Sequence, residues 1–289
     1  MKTMKKYITL ILALVVCACQ QSNKVVLENG KMRLEFDKEN ATLLSMVDLE
    51  TGYEYLDTEA EPQRLWNIIP LNEEDVIAEP SEVKVEKLSN HEVKLTWSGK
   101  EAFTLVARVR LDNEKPLSYW SVEMSDYDGA KVKELIFPYL TNIKAFTNEE
   151  IVLSDWTGAL YKNPRATQKS LSLFKRNHKH QAMQLSAIYG DEPSGLYIAT
   201  NDAESYGKNF LVEFREALTD YQMINIVDVA ADKTSYKPSY DFILGTLHGN
   251  WYDAALIYRE WALQQEWVKN SRLHSGKMNS GLPETDIWM

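Results

Sequence analysis

From Val25 to Gly245 apolar and polar side chains alternate in short runs. That two-residue period is the mark of half-buried β-strands. Lys31–Phe36 sets Met32, Leu34 and Phe36 on one face. Ala41–Asp48 follows, and Glu50-Thr51-Gly52 turns the chain into Tyr53–Leu56. Ser81–Leu88, His91–Trp97, Ala102–Leu111, Leu117–Ser125 and Lys131–Phe137 are longer and closely spaced, so they read as an antiparallel meander. Ile151–Asp155, Ala182–Tyr189, Gly195–Thr200, Asn209–Arg215, Met223–Val229 and Tyr240–Gly245 complete the set. About fifteen strands are too many for one flat sheet, so two antiparallel sheets packed face to face are expected.

Two regions break the alternation. Residues 157–179 are rich in Gly, Pro, Asn and basic side chains and read as a long surface loop, a common place for function. At Asn250 the period changes. Asn250 with Asp253 three residues on is capping-box-like. Trp251, Ala254, Ala255, Tyr258, Trp261 and Ala262 then share one helical face, with Arg259 and Glu260 outward. This helix should end near Gln265 or Trp267.

The first residues give an address. Lys2, Lys5 and Lys6 precede the apolar run Tyr7–Cys17, after which Gln20-Gln21-Ser22-Asn23 is abruptly polar. This is the layout of a secretory leader. Its apolar run is well short of the roughly 20 residues a membrane span needs. Val16-Cys17-Ala18-Cys19 resembles a bacterial lipobox, which implies cleavage before Cys19, acylation of Cys19 and a permanent membrane anchor. The tether after Cys19 carries no acidic stretch, which favours an outer-membrane anchor facing the periplasm. Only Cys19 survives the cleavage, and it would be acylated, so the mature domain must stand without disulfides or thiolate metal sites.

Losing the leader's three lysines takes the formal charge from −10 to −13. The acids are scattered, and no basic stripe for nucleic acid is present. Neither a phosphate-binding glycine loop nor a GxSxG elbow occurs, so nucleotide chemistry and α/β-hydrolase chemistry are not expected, and no cofactor or metal is implied.

Two segments, 182–189 with 195–202 (GLYIATND) and 249–262 (GNWYDAALIYREWA), carry a resemblance, joined by Asp155-Trp156-Thr157-Gly158. Together they resemble the N-terminal region of DUF6259-type glycoside-hydrolase-like proteins, related in architecture to endo-α-N-acetylgalactosaminidases. The resemblance covers most of residues 25–265. It implies a galactose-mutarotase-like supersandwich, a bridging helix and then a (β/α)8 barrel with the catalytic carboxylates. A barrel needs at least about 200 further residues. The implied organisation is therefore a leader over 1–18, a tether over 19–24, a sandwich over 25–247 and a linker helix over 248–268. Residues 269–289 would be the lead-in to a barrel that, with its catalytic pair, is missing from this sequence.

Candidate ligand contacts follow from residue chemistry. Asp155-Trp156 sits where a strand meets the long loop; an indole can stack on a pyranose while a carboxylate accepts its hydroxyls. Tyr161 and Arg165 share that loop, and Asn201-Asp202 closes a strand in a similar polar cluster. His178-Lys179-His180 sets two imidazoles on one side of an extended segment; the cations around them favour a solvated loop over a metal site or an acid–base pair. The other mature histidines, His248 among them, stand isolated, and the spacing of Trp251, Trp261 and Trp267 favours packing over a sugar platform. The expected function is a carbohydrate-active module that binds glycan and supports a glycoside-hydrolase barrel. The alternatives are a freestanding sugar-binding lipoprotein or a mutarotase-like epimerising enzyme.

Overall fold

The computed structural model describes residues 23–155, 158–172, 181–227, 230 and 232–271. Strands β1 (Lys24–Glu28), β2 (Met32–Asp37) and β3 (Leu43–Asp48) come first, then β4 (Asn67–Pro70). The meander is β5 (Glu82–Lys87), β6 (Glu92–Ser98), β7 (Thr104–Leu111) and β8 (Leu117–Ser125). Next come β9 (Val132–Lys144), β10 (Glu150–Asp155), β11 (Ala159–Lys162) and β12 (Ser170–Ser172). The remaining strands are β13 (Gln181–Tyr189), β14 (Gly195–Thr200), β15 (Lys208–Arg215), β16 (Leu218–Ile226), β17 (Ser235–Tyr236) and β18 (Phe242–Leu247). Helices α1 (Trp251–Ala262) and α2 (Glu266–Lys269) follow them.

The strands form a mainly β, antiparallel sandwich. A ten-stranded sheet runs β11-β10-β13-β14-β18-β8-β7-β6-β5, with β17 beside β8. A five-stranded sheet runs β12-β15-β16-β9-β4, and β1-β2-β3 form a third, small sheet. The meander ends earlier than the alternation implied. Asp126 takes a left-handed φ of 62°, and after the turn at 126–131 the chain enters the other sheet as β9. The pattern could not show this, because a strand that changes sheet keeps its period.

One core joins all three sheets. Trp120 of β8 meets Phe137 of β9 at 6.3 Å between centroids, and Phe137 meets Phe242 of β18 at 5.9 Å. All three rings are buried, with Leu34 and Met46 of the small sheet in the same cluster. Burying such a side chain is worth about 1.5–3 kcal/mol each.

The ten-stranded sheet has a second cluster on its outer face. Leu185, Ala187, Tyr189, Tyr197, Ala199, Ile243 and Leu247 point away from the main core and pack against Ala254 and Tyr258 of α1. All six residues of β14 and all six of β18 are therefore buried. The capping box forms as the sequence indicated: Asp253 Oδ2 accepts from Asn250 N at 2.9 Å, and Asn250 Oδ1 accepts from Tyr252 N at 2.9 Å. Gly249 precedes it at φ 126°, and a Cβ there would lie 2.1 Å from Asp253 Oδ2, so only glycine fits. Trp261 packs on this cluster, but Trp251 and Trp267 are about half exposed. Trp251 opens the helix and Trp267 lies beyond its end, so neither shares its buried stripe.

Candidate functional site

Helix α1 rests on the outer sheet face along Ala254 and Tyr258, which leaves a cleft on each flank. The first, of about 540 Å³, lies between α1 and the ends of β8, β14 and β18. Tyr119, Tyr197 and Trp261 give it aromatic walls, and Asn201, His248 and Gln264 give it hydrogen-bonding groups. Its charged lining is largely engaged within the fold: Lys115 with Glu260, and Asp253 in the helix cap.

Two of these side chains are held by neighbours. Tyr119 donates to Asp112 Oδ2 at 3.1 Å, and the Arg110 guanidinium lies 4.6 Å from its ring centroid. Burial, reinforced by the Asp112 charge, pushes the Tyr119 hydroxyl up to about 12, so it stays protonated at neutral pH. His248 sits between β18 and α1 with Nε2 2.6 Å from Asp48 Oδ2. The Asp48 side chain is 1% exposed. Burial pushes its pKa up, but hydrogen bonds from His248, Thr51, the Glu50 amide and Ser194 outweigh burial and leave it below the usual carboxylate range. An ionised Asp48 requires the proton on Nε2. In the neutral ring this makes Nδ1, 3.9 Å from Glu50 Oε2, the acceptor.

The second cleft, of about 860 Å³, lies on the opposite flank of α1, against β13 and the turn after β14. Gln184, Asp202, Tyr252, Tyr258, Arg259 and Trp267 line it. Among the described residues no group of His, Cys, Asp and Glu is arranged to hold a metal ion.

The residues singled out from the sequence do not converge on either cleft. Asp155 closes β10, paired with Gln181, and Trp156 lies outside the described residues, as do Cys19, His178 and His180. Tyr161, on edge strand β11, packs against the main core. Arg165, in the 3-10 turn Pro164–Ala166, donates to the carbonyls of Glu216 and Leu218 at 2.8 and 2.9 Å and to Thr219 Oγ1 at 2.7 Å. It fastens the loop to the β15–β16 hairpin. Asp202 lines the second cleft, yet its carboxylate is 0% exposed. It accepts from the amides of Glu204, Ser205 and Tyr206 and pairs with Lys208, which organises the turn after β14. Tyr119, Tyr197 and His248 escaped sequence reasoning as site residues. The available signal was the unbroken apolar run of β14 and β18, which marks a sheet face covered by something else.

The fold is that of the galactose-mutarotase-like sandwiches, found in sugar epimerases and in glycoside hydrolases. The family model "Domain of unknown function (DUF6259)" matches residues 236–289, which include β18 and both helices. The resemblance read from Gly249–Ala262 thus stands, as does the fold it implied. Among solved structures the chain is similar to α-N-acetylgalactosaminidase NagBb from Bifidobacterium bifidum in its GalNAc complex, with TM-score 0.67, 9% identity, 90% of this chain and 42% of that one. It is similar to a GH36 α-galactosidase from Geobacillus stearothermophilus bound to stachyose, at TM-score 0.54, 9% identity, 86% of this chain and 44% of that one. A putative aldose 1-epimerase from Escherichia coli K12 matches over 78% of this chain and 99% of its own, at TM-score 0.50 and 9% identity. Among curated proteins none matches the sequence. The chain spans about two fifths of the N-acetylgalactosaminidase it matches.

Proposed function

We propose that this chain is the sugar-handling sandwich of an exported, lipid-anchored glycoside-hydrolase-like protein, and that it binds neutral glycan in the cleft beside Tyr119 and Trp261. The observation that carries this reading is the lining of that cleft. Aromatic faces on two walls and a few donors and acceptors between them are what a pyranose, apolar on its C–H faces and polar at its rim, requires. Two solved structures of the same fold hold sugars, GalNAc in one and stachyose in the other. The anchor is acylated Cys19, facing the periplasm. Exposed Leu256 of α1 and exposed Leu263 just past its end support the catalytic barrel. Glycan-array screening with galactose- and GalNAc-terminated oligosaccharides tests the binding: the wild type should retain a neutral subset and Tyr119→Ala should lose it. Retention by Tyr119→Ala equal to wild type would refute the site.

A second reading, mutarotation of a free sugar, is favoured by one feature. His248, oriented by the ionised Asp48, lines the same cleft and can exchange a proton. Polarimetry of fresh α-galactose decides it: catalysed anomer interconversion that His248→Ala abolishes supports this reading, and an uncatalysed rate in the wild type rejects it.

A further inference from the structure

The geometry points to a second, chemically different sugar site: the cleft on the other flank of α1 binds the carboxylate of an acidic sugar residue through Arg259, with Tyr252 and Trp267 as its stacking faces. The inference starts from the charge in that cleft. Arg259 is exposed and lines it. Among the described residues its guanidinium has no carboxylate partner, whereas the nearby acids bond to other groups. Asp202 is buried against Lys208 and three amides. Glu204 accepts from Ser239 Oγ at 3.1 Å, and Glu266 lies 3.6 Å from Lys269. Glu260 projects into the first cleft, where it pairs with Lys115. Among the described residues Arg259 is thus the lining charge of this cleft without an ionic partner, while Glu204, hydrogen-bonded to a neutral hydroxyl, keeps its negative charge in the adjoining turn. The chain's net −10 acts from farther away and is screened beyond about 8 Å at physiological salt.

The surroundings suit a ring bearing a carboxylate better than a bare anion. Tyr252 and Trp267 are 57% and 49% exposed, and Tyr258 forms the cleft floor at 8%. Gln184 does not supply a free acceptor, since its side chain accepts from Thr200 Oγ1 at 2.6 Å and donates to Asp202 O at 2.7 Å. Aromatic faces beside a planar, two-pronged guanidinium are the complement of a pyranose with an equatorial carboxylate. The first cleft, whose only lysine is paired with Glu260, does not offer that combination. This inference extends the glycan-binding reading but uses different residues, so either can fail alone.

The test is a titration followed by ¹H–¹⁵N NMR on the full chain. The probes are the methyl glycosides of glucuronic and galacturonic acid and their uncharged methyl esters, with a neutral oligosaccharide titrated separately. At least one acid should shift the amides of Arg259 and Trp267 and bind about tenfold more tightly than its ester, the increment expected of a charge-assisted bidentate pair. R259Q should erase that preference, R259K should restore part of it, and raising the salt should weaken it. Arg259 is exposed, so R259Q should melt as the wild type does. Equal binding of acid and ester, a preference that survives R259Q, or no response to either acid would each overturn the inference. Shifts around Tyr119 on adding the neutral oligosaccharide report on the first cleft separately.

Discussion

The two halves of the ten-stranded sheet share one inner face and differ completely on the outer one. In the β6–β7 half, inward Val93, Leu95, Leu105 and Ala107 alternate with outward Lys94 and Arg108, which meet water. In the β14–β18 half both faces are buried, because Tyr197, Ala199, Ile243 and Leu247 lie under α1. The main core holds both halves; the covered face adds a second apolar layer with recesses at its margins. Those recesses are the two clefts. The lesson is that sheet strands apolar on both faces marked where α1 and its two flanking clefts lie.

Substitutions should separate the halves by size of effect. Trp120→Ala removes the ring that both halves share and should cost about 3–5 kcal/mol in denaturant unfolding. A smaller loss would mean that the sheets are not locked through Phe137. Gly245→Val acts on the covered half alone. A Cβ at Gly245 would lie 2.3 Å from Leu117 Cδ2 and 2.8 Å from the Pro116 carbonyl. The resulting strain should destabilise by about 1–3 kcal/mol and distort the first cleft.

Asp48→Asn tests the clasp between the small sheet and the start of α1. The folded Asp48 titrates below its unfolded value of about 3.9, so the folded state binds fewer protons there. Its contribution is complete above that value and is lost as pH falls through the lower, folded pKa. The variant should lose about 1.5 kcal/mol at neutral pH. It should also show a shallower fall in stability in acid than the wild type, and parallel acid limbs would contradict the assignment. The smallest change belongs to the open half. Arg108→Ala removes an exposed pair with Glu92 at 3.4 Å and should stay within about 0.5 kcal/mol of wild type.

Much of the architecture was legible in the sequence, because alternation and capping are local. Met32, Leu34 and Phe36 all fall in the core, and the Asn250–Asp253 cap forms as its spacing implied. Strand ends were less legible. β9 runs on to Lys144 because it is covered on both faces in its second half. β16 begins at Leu218, where the hairpin with β15 starts, so its register comes from pairing and not from pattern. The first cleft was the least legible part. His248 meets Asp48 across 200 positions of sequence, and Tyr119 meets Trp261 only through the shared cleft. Arg165 and Asp202 have the chemistry of ligand contacts, but the fold commits their polar atoms to the β15–β16 hairpin and to Lys208.

The most direct test of the central claim is a crystal structure of the chain with a neutral galactose- or GalNAc-terminated oligosaccharide. The account predicts a pyranose ring between Tyr119 and Trp261, with hydroxyls reaching Asn201 or His248. A ring bound at the loop after Asp155 instead, with that cleft left vacant at saturating ligand, would contradict it.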